Sequence, residues 1–392
     1  MKILVISQYY YPESFRINDI CEDLVKQGHK VTVVSGVPNY PRGKIFPGYG
    51  YGRRKKECVN GVDIRRCFTI GRRNNIVFRF LNYYSYMISS TMYCSRLSEK
   101  FDAVFVYQVS PVLMANAANK YSKKNGVPLI LYCLDVWPEI LLVSSVKKDS
   151  LIYKYFYKVS KKIYSKADKV LVTSESFRDY FYNKFSIKNV EYLPQYAESI
   201  YDYKKCFKEP NDTVDLMFAG NIGIGQSVET IVEAARLTQD CTYLKWHIVG
   251  DGSQYEKVKK LADGLPNIFF YGLQPLDKMP EFYSKADALI VSFKKDSVLE
   301  MTLPGKVQSY MAAGKPILAS ADGECRKLIE STGCGYCCDA EDAAALADAA
   351  KRFANETNKT QFSEKSYNTY NALFSKDAFM QNLNRIFDSV AE

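Results

Sequence analysis

The chain has 392 residues, 47% hydrophobic and 24% charged, which are the proportions of a folded globular protein and too many residues for one ordinary core. Its net charge of +10 is uneven: residues 1–200 hold 31 Lys+Arg against 16 Asp+Glu, and residues 201–392 hold 22 against 27. No stretch reaches the roughly 18 apolar residues of a membrane span. The N-terminus lacks a signal-peptide pattern, and eleven scattered cysteines with only His29 and His247 offer no zinc set, so reduced, mostly buried thiols in a cytoplasmic protein are expected.

The first half alternates strands and helices. Lys2–Ser7 is an apolar run, Asn18–Gln27 has Ile20, Cys21 and Leu24 at helical spacing, and Gly28 stops that helix before a strand over Lys30–Ser35. Further strands are predicted at Ala103–Tyr107, Leu129–Leu134 and Lys169–Thr173, with helices between them. A polar stretch, Tyr201–Thr213, reads as a linker. The pattern then restarts: strands at Asp215–Phe218, Leu244–Val249, Ile268–Tyr271, Ala288–Val291 and Pro316–Ala319, a helix at Ser227–Leu237, and an amphipathic helix over Ser375–Val390. Two α/β units with parallel sheets follow.

Five segments carry chemistry. In open α/β sheets ligands bind at the carboxyl ends of the strands, and each segment follows a predicted strand or opens a helix. The loop Tyr9–Asn18 has no glycine, which disfavours a dinucleotide fold; Glu13 lies in it, and Arg16 and Asn18 lie where a helix N-terminus stabilises anions or where a capping pair would sit. Val37–Gly43, with two prolines, is a stiff loop carrying Asn39 and Tyr40, suited to acceptor contacts or to a plain turn. Asp135 leaves a strand beside Trp137, where a carboxylate can orient or deprotonate a hydroxyl, or merely cap the next helix. The loop Gly220-Asn221-Ile222-Gly223-Ile224-Gly225-Gln226 lets backbone approach a phosphate. The run Glu300-Met301-Thr302-Leu303-Pro304-Gly305-Lys306, leading to Ser309, opens a helix whose free amides, with Lys306, make a diphosphate site.

Together these segments, with Gly28-His29-Lys30-Val31, Val249-Gly250-Asp251-Gly252 and Ala312-Ala313-Gly314-Lys315-Pro316, resemble glycosyltransferase family 4 over essentially the whole chain. The likeness is closest to the O-antigen and colanic-acid branch, which includes N-acetyl-fucosamine-type transferases. The resemblance implies the GT-B fold: two Rossmann-like α/β/α domains facing a cleft, an acceptor domain over 1–196, a nucleotide-sugar domain over 212–374, and a C-terminal helix over 375–392 packing on the first. It implies retaining transfer from a nucleotide-diphosphate sugar, UDP by the branch, to a lipid-diphosphate-linked or saccharide acceptor in surface-polysaccharide synthesis. Glu13, Asn18, Asn39, Tyr40 and Trp137 would meet the acceptor, Asp135 its hydroxyl. Gly220, Asn221, Gly223, Gln226, Glu300, Met301, Thr302, Leu303, Pro304, Gly305 and Ser309 would meet the donor, with Lys306 and Arg16 on its phosphates.

The sequence departs from the family pattern in three places. Asn221 and Gln226 replace an Arg and a Lys, Ser14-Phe15-Arg16 replaces a double glycine, and the paired glutamates are missing: Ser309 stands where the ribose-holding one belongs, and Met301 near the other. No metal or other cofactor is expected, since fixed positive charge serves the leaving group and no Asp-x-Asp pair is present.

The basic half points to a partner. Arg42 to Arg79 holds 11 basic and two acidic residues and runs into the aromatic stretch Val77–Met87, and Leu151–Lys169 interleaves lysines with Tyr153, Tyr155, Phe156 and Tyr157. Such segments suit the anionic inner face of the cytoplasmic membrane. No nucleic-acid-binding signature accompanies the charge. A nucleotide-sugar epimerase of the same fold, or a non-catalytic sugar-binding subunit, are the alternatives.

Overall fold

The computed structural model describes all residues except Arg42, Tyr51, Asn74, Ser144, Ser145 and Glu392, and all side chains of the remainder except those of Ile76 and Ala391. The chain forms two compact units. The first comprises Met1–Thr173, Phe177–Leu193 and Met380–Glu392, and the second Ser174–Ser176 and Pro194–Phe379.

The strands of the first unit are β1 (Lys2–Ile6), β2 (Lys30–Ser35), β3 (Lys56–Val59), β4 (Val62–Arg66), β5 (Ala103–Gln108), β6 (Leu129–Cys133), β7 (Lys169–Val172) and β8 (Val190–Tyr192). They form one sheet in the order β3-β4-β2-β1-β5-β6-β7-β8. β1, β5 and β6 are near-continuous runs of Val, Ile, Leu and Phe because helices cover both faces of a parallel sheet. β3 is the exception. It pairs antiparallel to β4 through a tight turn at Asn60-Gly61, both with positive φ (51° and 81°). Asn-Gly between two short apolar-alternating runs is the strongest local hairpin signal, and it is legible in the sequence although the strand reading above passed over it.

The C-terminal helix Lys376–Ala391 contributes its later part to this unit: Phe387 meets Phe105 of β5 edge-on at 5.7 Å, and Asn384 donates to Gln27 at 3.0 Å.

The second unit holds β9 (Val214–Ala219), β10 (Leu244–Val249), β11 (Ile268–Gly272), β12 (Ala288–Ser292), β13 (Ile317–Ser320) and β14 (Gly335–Cys338), ordered β11-β10-β9-β12-β13-β14 and all parallel. One apolar cluster, around Trp246, Ile248 and Phe353, lies apart from a second, around Tyr283, Leu289 and Tyr310. The stretch Tyr201–Thr213, expected as a linker, is packed into this unit instead. Cys206 is fully buried, Tyr201 stacks on Tyr283 at 5.1 Å, and Lys208 pairs with Asp215 at 2.6 Å. Alternating aromatic and charged residues gave that stretch a polar look while supplying its anchors.

Candidate active site

In the second unit the strand exits carry the donor candidates. β9 ends at Ala219, and Tyr310 clamps that end: its hydroxyl accepts from Ala219 N at 3.1 Å and donates to Ala219 O at 2.9 Å. Gly220 follows with φ +148°, and a Cβ there would stand 3.2 Å from Lys306 Nζ. Gly250, at the end of β10, also has φ +140°, and a side chain there would collide with the Gly220 carbonyl at 1.8 Å. Gly220 therefore leaves the space that Lys306 enters, and Gly250 lets the two strand exits approach closely.

Lys306 is the second residue of the helix Gly305–Ala312. Its ammonium lies 4.0 Å from the Phe218 ring centroid and donates to Gln226 Oε1. This surround desolvates the charge and pushes the lysine down to about 7. Gly220, Gln226 and Lys306, 86 positions apart at the extremes, are thus brought together.

The neighbouring run is less open than the sequence suggested. Of the Thr302–Gly305 amides expected to face a diphosphate, that of Thr302 donates to Leu299 O at 3.0 Å and Pro304 has none. The run therefore offers at most Leu303 and Gly305. Leu303 is buried, Glu300 ends the short helix Ser297–Glu300 and is half-buried, and the Met301 carbonyl accepts from Ser174 Oγ at 2.5 Å. Asn221 is exposed at the strand exit, and a Cβ at Gly223 would stand 2.7 Å from its amide nitrogen.

The first unit arranges its candidates on four strand exits. Glu13 is buried. Its Oε1 accepts from the backbone N–H of Asn39 and of Tyr40, both at 2.7 Å, and its Oε2 from Tyr10 N at 3.3 Å. Burial raises this carboxyl to about 7 against the opposing pull of those amides. Asn18 donates to the Glu13 carbonyl at 2.7 Å. Asn39 is buried as well: its Oδ1 accepts from Arg72 N at 3.1 Å and Asn82 Nδ2 at 3.3 Å, and Asn82 in turn accepts from Gln8 at 2.7 Å. Glu13 and Asn39 are therefore occupied with holding the loops after β1 and β2. Tyr40 is 38% exposed, its ring 5.2 Å from Phe15 and 5.5 Å from Tyr9. Arg42 of the same loop lies outside the described residues. Arg16 is the first residue of the helix Arg16–Lys26, half-buried, with its charge felt by the buried Tyr132 of β6.

Asp135 and Trp137 are joined by a residue that the sequence reading missed. Ser110, just past β5, donates its N–H (2.9 Å) and its hydroxyl (2.7 Å) to Asp135 Oδ2, while its Oγ accepts from Trp137 Nε1 at 3.1 Å. Burial raises the Asp135 carboxyl, and the two bonds from Ser110 oppose that rise. Trp137 packs on Phe156 at 5.0 Å.

Residues 15–195 match the sequence model of Glycosyltransferase Family 4, and residues 213–356 that of Glycosyl transferases group 1. The chain is a GT-B glycosyltransferase. WcaI of Escherichia coli strain K12, whose name assigns it to colanic acid biosynthesis as a glycosyl transferase, is 25% identical over 371 residues, 88% of this chain and 90% of WcaI. Sucrose-phosphate synthase of Thermosynechococcus elongatus superposes with a TM-score of 0.75 at 16% identity, over 99% of this chain and 98% of its own. Anabaena HepE, solved in complex with UDP-glucose, superposes with a TM-score of 0.68 at 13% identity, over 99% and 100% of the two chains.

In this glycosyltransferase Ser309, the residue standing where a glutamate was expected, is not left without a carboxylate. Its Oγ donates to Glu198 Oε2 at 3.0 Å. Glu198 comes from the segment that precedes β9, 111 positions away, so no local motif announces it. Among the described residues no cluster of three His, Cys, Asp or Glu side chains could hold a metal, and no helix is long and apolar enough to cross a membrane.

Proposed function

We propose that this glycosyltransferase moves a sugar from a UDP-sugar to a lipid-linked saccharide acceptor in bacterial surface-polysaccharide synthesis, with retention of configuration and without a metal ion. The observation that carries the reading is the convergence of Lys306, Gln226 and the open Gly220 strand exit at the start of one helix. A lysine in a desolvated place, beside glycines that let backbone approach, is the arrangement that a leaving diphosphate needs. WcaI supports the polysaccharide context and HepE the UDP-sugar donor.

In this reading the second unit binds the donor. Lys306, the amides of Leu303 and Gly305 and the Gly220–Gly223 loop hold the diphosphate, and Glu198, held by Ser309, accepts from the ribose hydroxyls. The first unit binds the acceptor. Asp135, fixed by Ser110, orients the attacking hydroxyl, Trp137 and Tyr40 give it apolar walls, and Arg16 adds positive charge at the start of its helix. A front-face displacement needs no protein nucleophile. The test has two parts. Thermal shift with UDP, GDP and ADP should rank UDP first. Incubation of radiolabelled UDP-sugars with an extract of bacterial lipid should then label the lipid fraction. Stabilisation by UDP without transfer to any acceptor would leave a sugar-binding subunit, and a label remaining on an altered nucleotide-sugar would leave an epimerase.

A further inference from the structure

The helix Ile76–Arg96 of the first unit runs for 21 residues, and one side of it is apolar and open to solvent. Val77, Leu81, Ile88 and Met92 are 43–58% exposed and follow one another at intervals of four, seven and four residues, which place them on one face of the helix. Tyr84, on the same stripe, lies near Tyr155 of the helix Leu151–Tyr164, where Leu151 is 85% exposed and Ile152 51%. Burying such residues is the ordinary outcome in a helix that packs only on its own protein.

At its far end the stripe enters a groove of about 530 Å³ between this helix and the helix Asn116–Asn125. Met87, Ile88 and Met92 form its apolar wall. Lys120, Lys123 and Lys166 form the other wall, all exposed, and none has an acidic partner among the described residues. Partial burial, together with the like charges of Lys162 and Lys123 near it, pushes Lys166 below the ordinary lysine range. Thr91 and Asn119 complete the lining, although Thr91 Oγ1 and Asn119 Oδ1 are themselves shut off from solvent beneath it.

We infer that the groove is a binding site for one anionic phospholipid, its phosphate among Lys120, Lys123 and Lys166 and its acyl chain along Met87, Ile88 and Met92. Charge complementarity selects an anion, and the apolar stripe leading into the groove selects one that carries a hydrocarbon chain. A free phosphate would leave the Met–Ile wall bare. The inference rests on the proposed transfer to a lipid-linked acceptor and on the reading of the basic first half as facing an anionic membrane, and gives that contact a fixed lipid in place of a diffuse surface charge. It is independent of which sugar moves.

The experiment uses the full chain. Dihexanoyl phosphatidylglycerol, dihexanoyl phosphatidylcholine and inorganic phosphate are titrated separately, and co-sedimentation is measured with phosphatidylcholine vesicles with and without phosphatidylglycerol. The short anionic lipid should saturate, with phosphatidylcholine and inorganic phosphate each at least about tenfold weaker. Lys123→Glu with Lys166→Glu should lower that affinity about tenfold or more, since each basic side chain at an anionic surface contributes roughly fivefold. Met92→Asp should do the same without changing the cationic rim. A thermal shift with UDP, unchanged in all variants, shows that they are folded. Lys154→Glu with Lys158→Glu is the charge-matched comparison, expected to weaken vesicle binding but not binding of the short lipid. Equal binding of inorganic phosphate, or indifference of the short lipid to the groove variants, overturns the site. Vesicle binding that survives those variants would leave the membrane reading standing and the groove refuted, whereas no vesicle binding by the wild type refutes both.

Discussion

Donor binding should draw a proton from solution at Lys306. In the free protein this lysine titrates at about 7, because Phe218 and the surrounding backbone desolvate it. A diphosphate placed against the ammonium favours the charged form and moves the group back toward its ordinary range. At pH 8, one unit above that midpoint, about one free site in ten holds the proton, so binding carries a penalty of about tenfold, or ~1.4 kcal/mol. At pH 9 the penalty is about a hundredfold, and below pH 6 it vanishes. The sign is therefore definite: UDP affinity falls as pH rises from 7 to 9, with about one proton taken up per UDP at the upper end. The terminal phosphate of UDP, with a pKa near 6, is already ionised over that range. Isothermal titration between pH 7.5 and 9, repeated in two buffers of different ionisation enthalpy, measures the uptake directly. Lys306→Gln should flatten the pH dependence and weaken UDP binding at pH 7 by about ten- to a hundredfold, the range of a charge-assisted bond of roughly 1.5–3 kcal/mol. Heats that do not depend on the buffer, with an affinity level across this window, would refute the reasoning.

Three further outcomes are expected. Glu13→Gln should remove a pH dependence of stability. The native carboxyl is raised from 4.5 to about 7, so its contribution is fully present below pH 4.5 and lost as pH rises to 7, a difference of about 3 kcal/mol. The gap in melting temperature between variant and wild type should therefore change sharply across that interval and stay flat above it. Asp135→Asn should reduce transfer by about a hundredfold or more while UDP affinity stays within about twofold. A parallel fall in both would remove Asp135 from the acceptor side. Glu198→Ala should weaken UDP about tenfold and abolish the preference for UDP over its 2′-deoxy analogue. Retention of that preference would remove the carboxylate from the ribose.

The alternation of strands and helices, and the exits that carry Gly220 and Asp135, were legible because parallel strands buried on both faces read as apolar runs and the exits fall directly after them. What the sequence hid depends on contacts between distant segments. Ser110 looks like any serine before a proline until β5 and β6 pair in register and set it against Asp135. Glu198 lies in a stretch with no motif, and only the return of the chain beside the helix Gly305–Ala312 brings it to Ser309. Glu13 and Asn39 were expected to meet the acceptor, yet residue type alone does not tell a side chain that touches a ligand from one that holds the backbone beneath it. That distinction came from burial and from the amides filling both oxygens of Glu13.

The bonds from Glu13 to Asn39 and Tyr40, extended through Asn39 to Asn82 and Gln8, fasten the turns after β1 and β2 into one rigid piece. A transplant of acceptor preference between relatives must then respect that piece. Moving the Tyr9–Asn18 loop alone would deprive two amides of their shared carboxylate, at a cost of about 1–3 kcal/mol for each buried donor left unmade. The transferable cassette is both turns together with the asparagine at position 82, and chimaeras cut along those seams should fold where single-loop swaps fail.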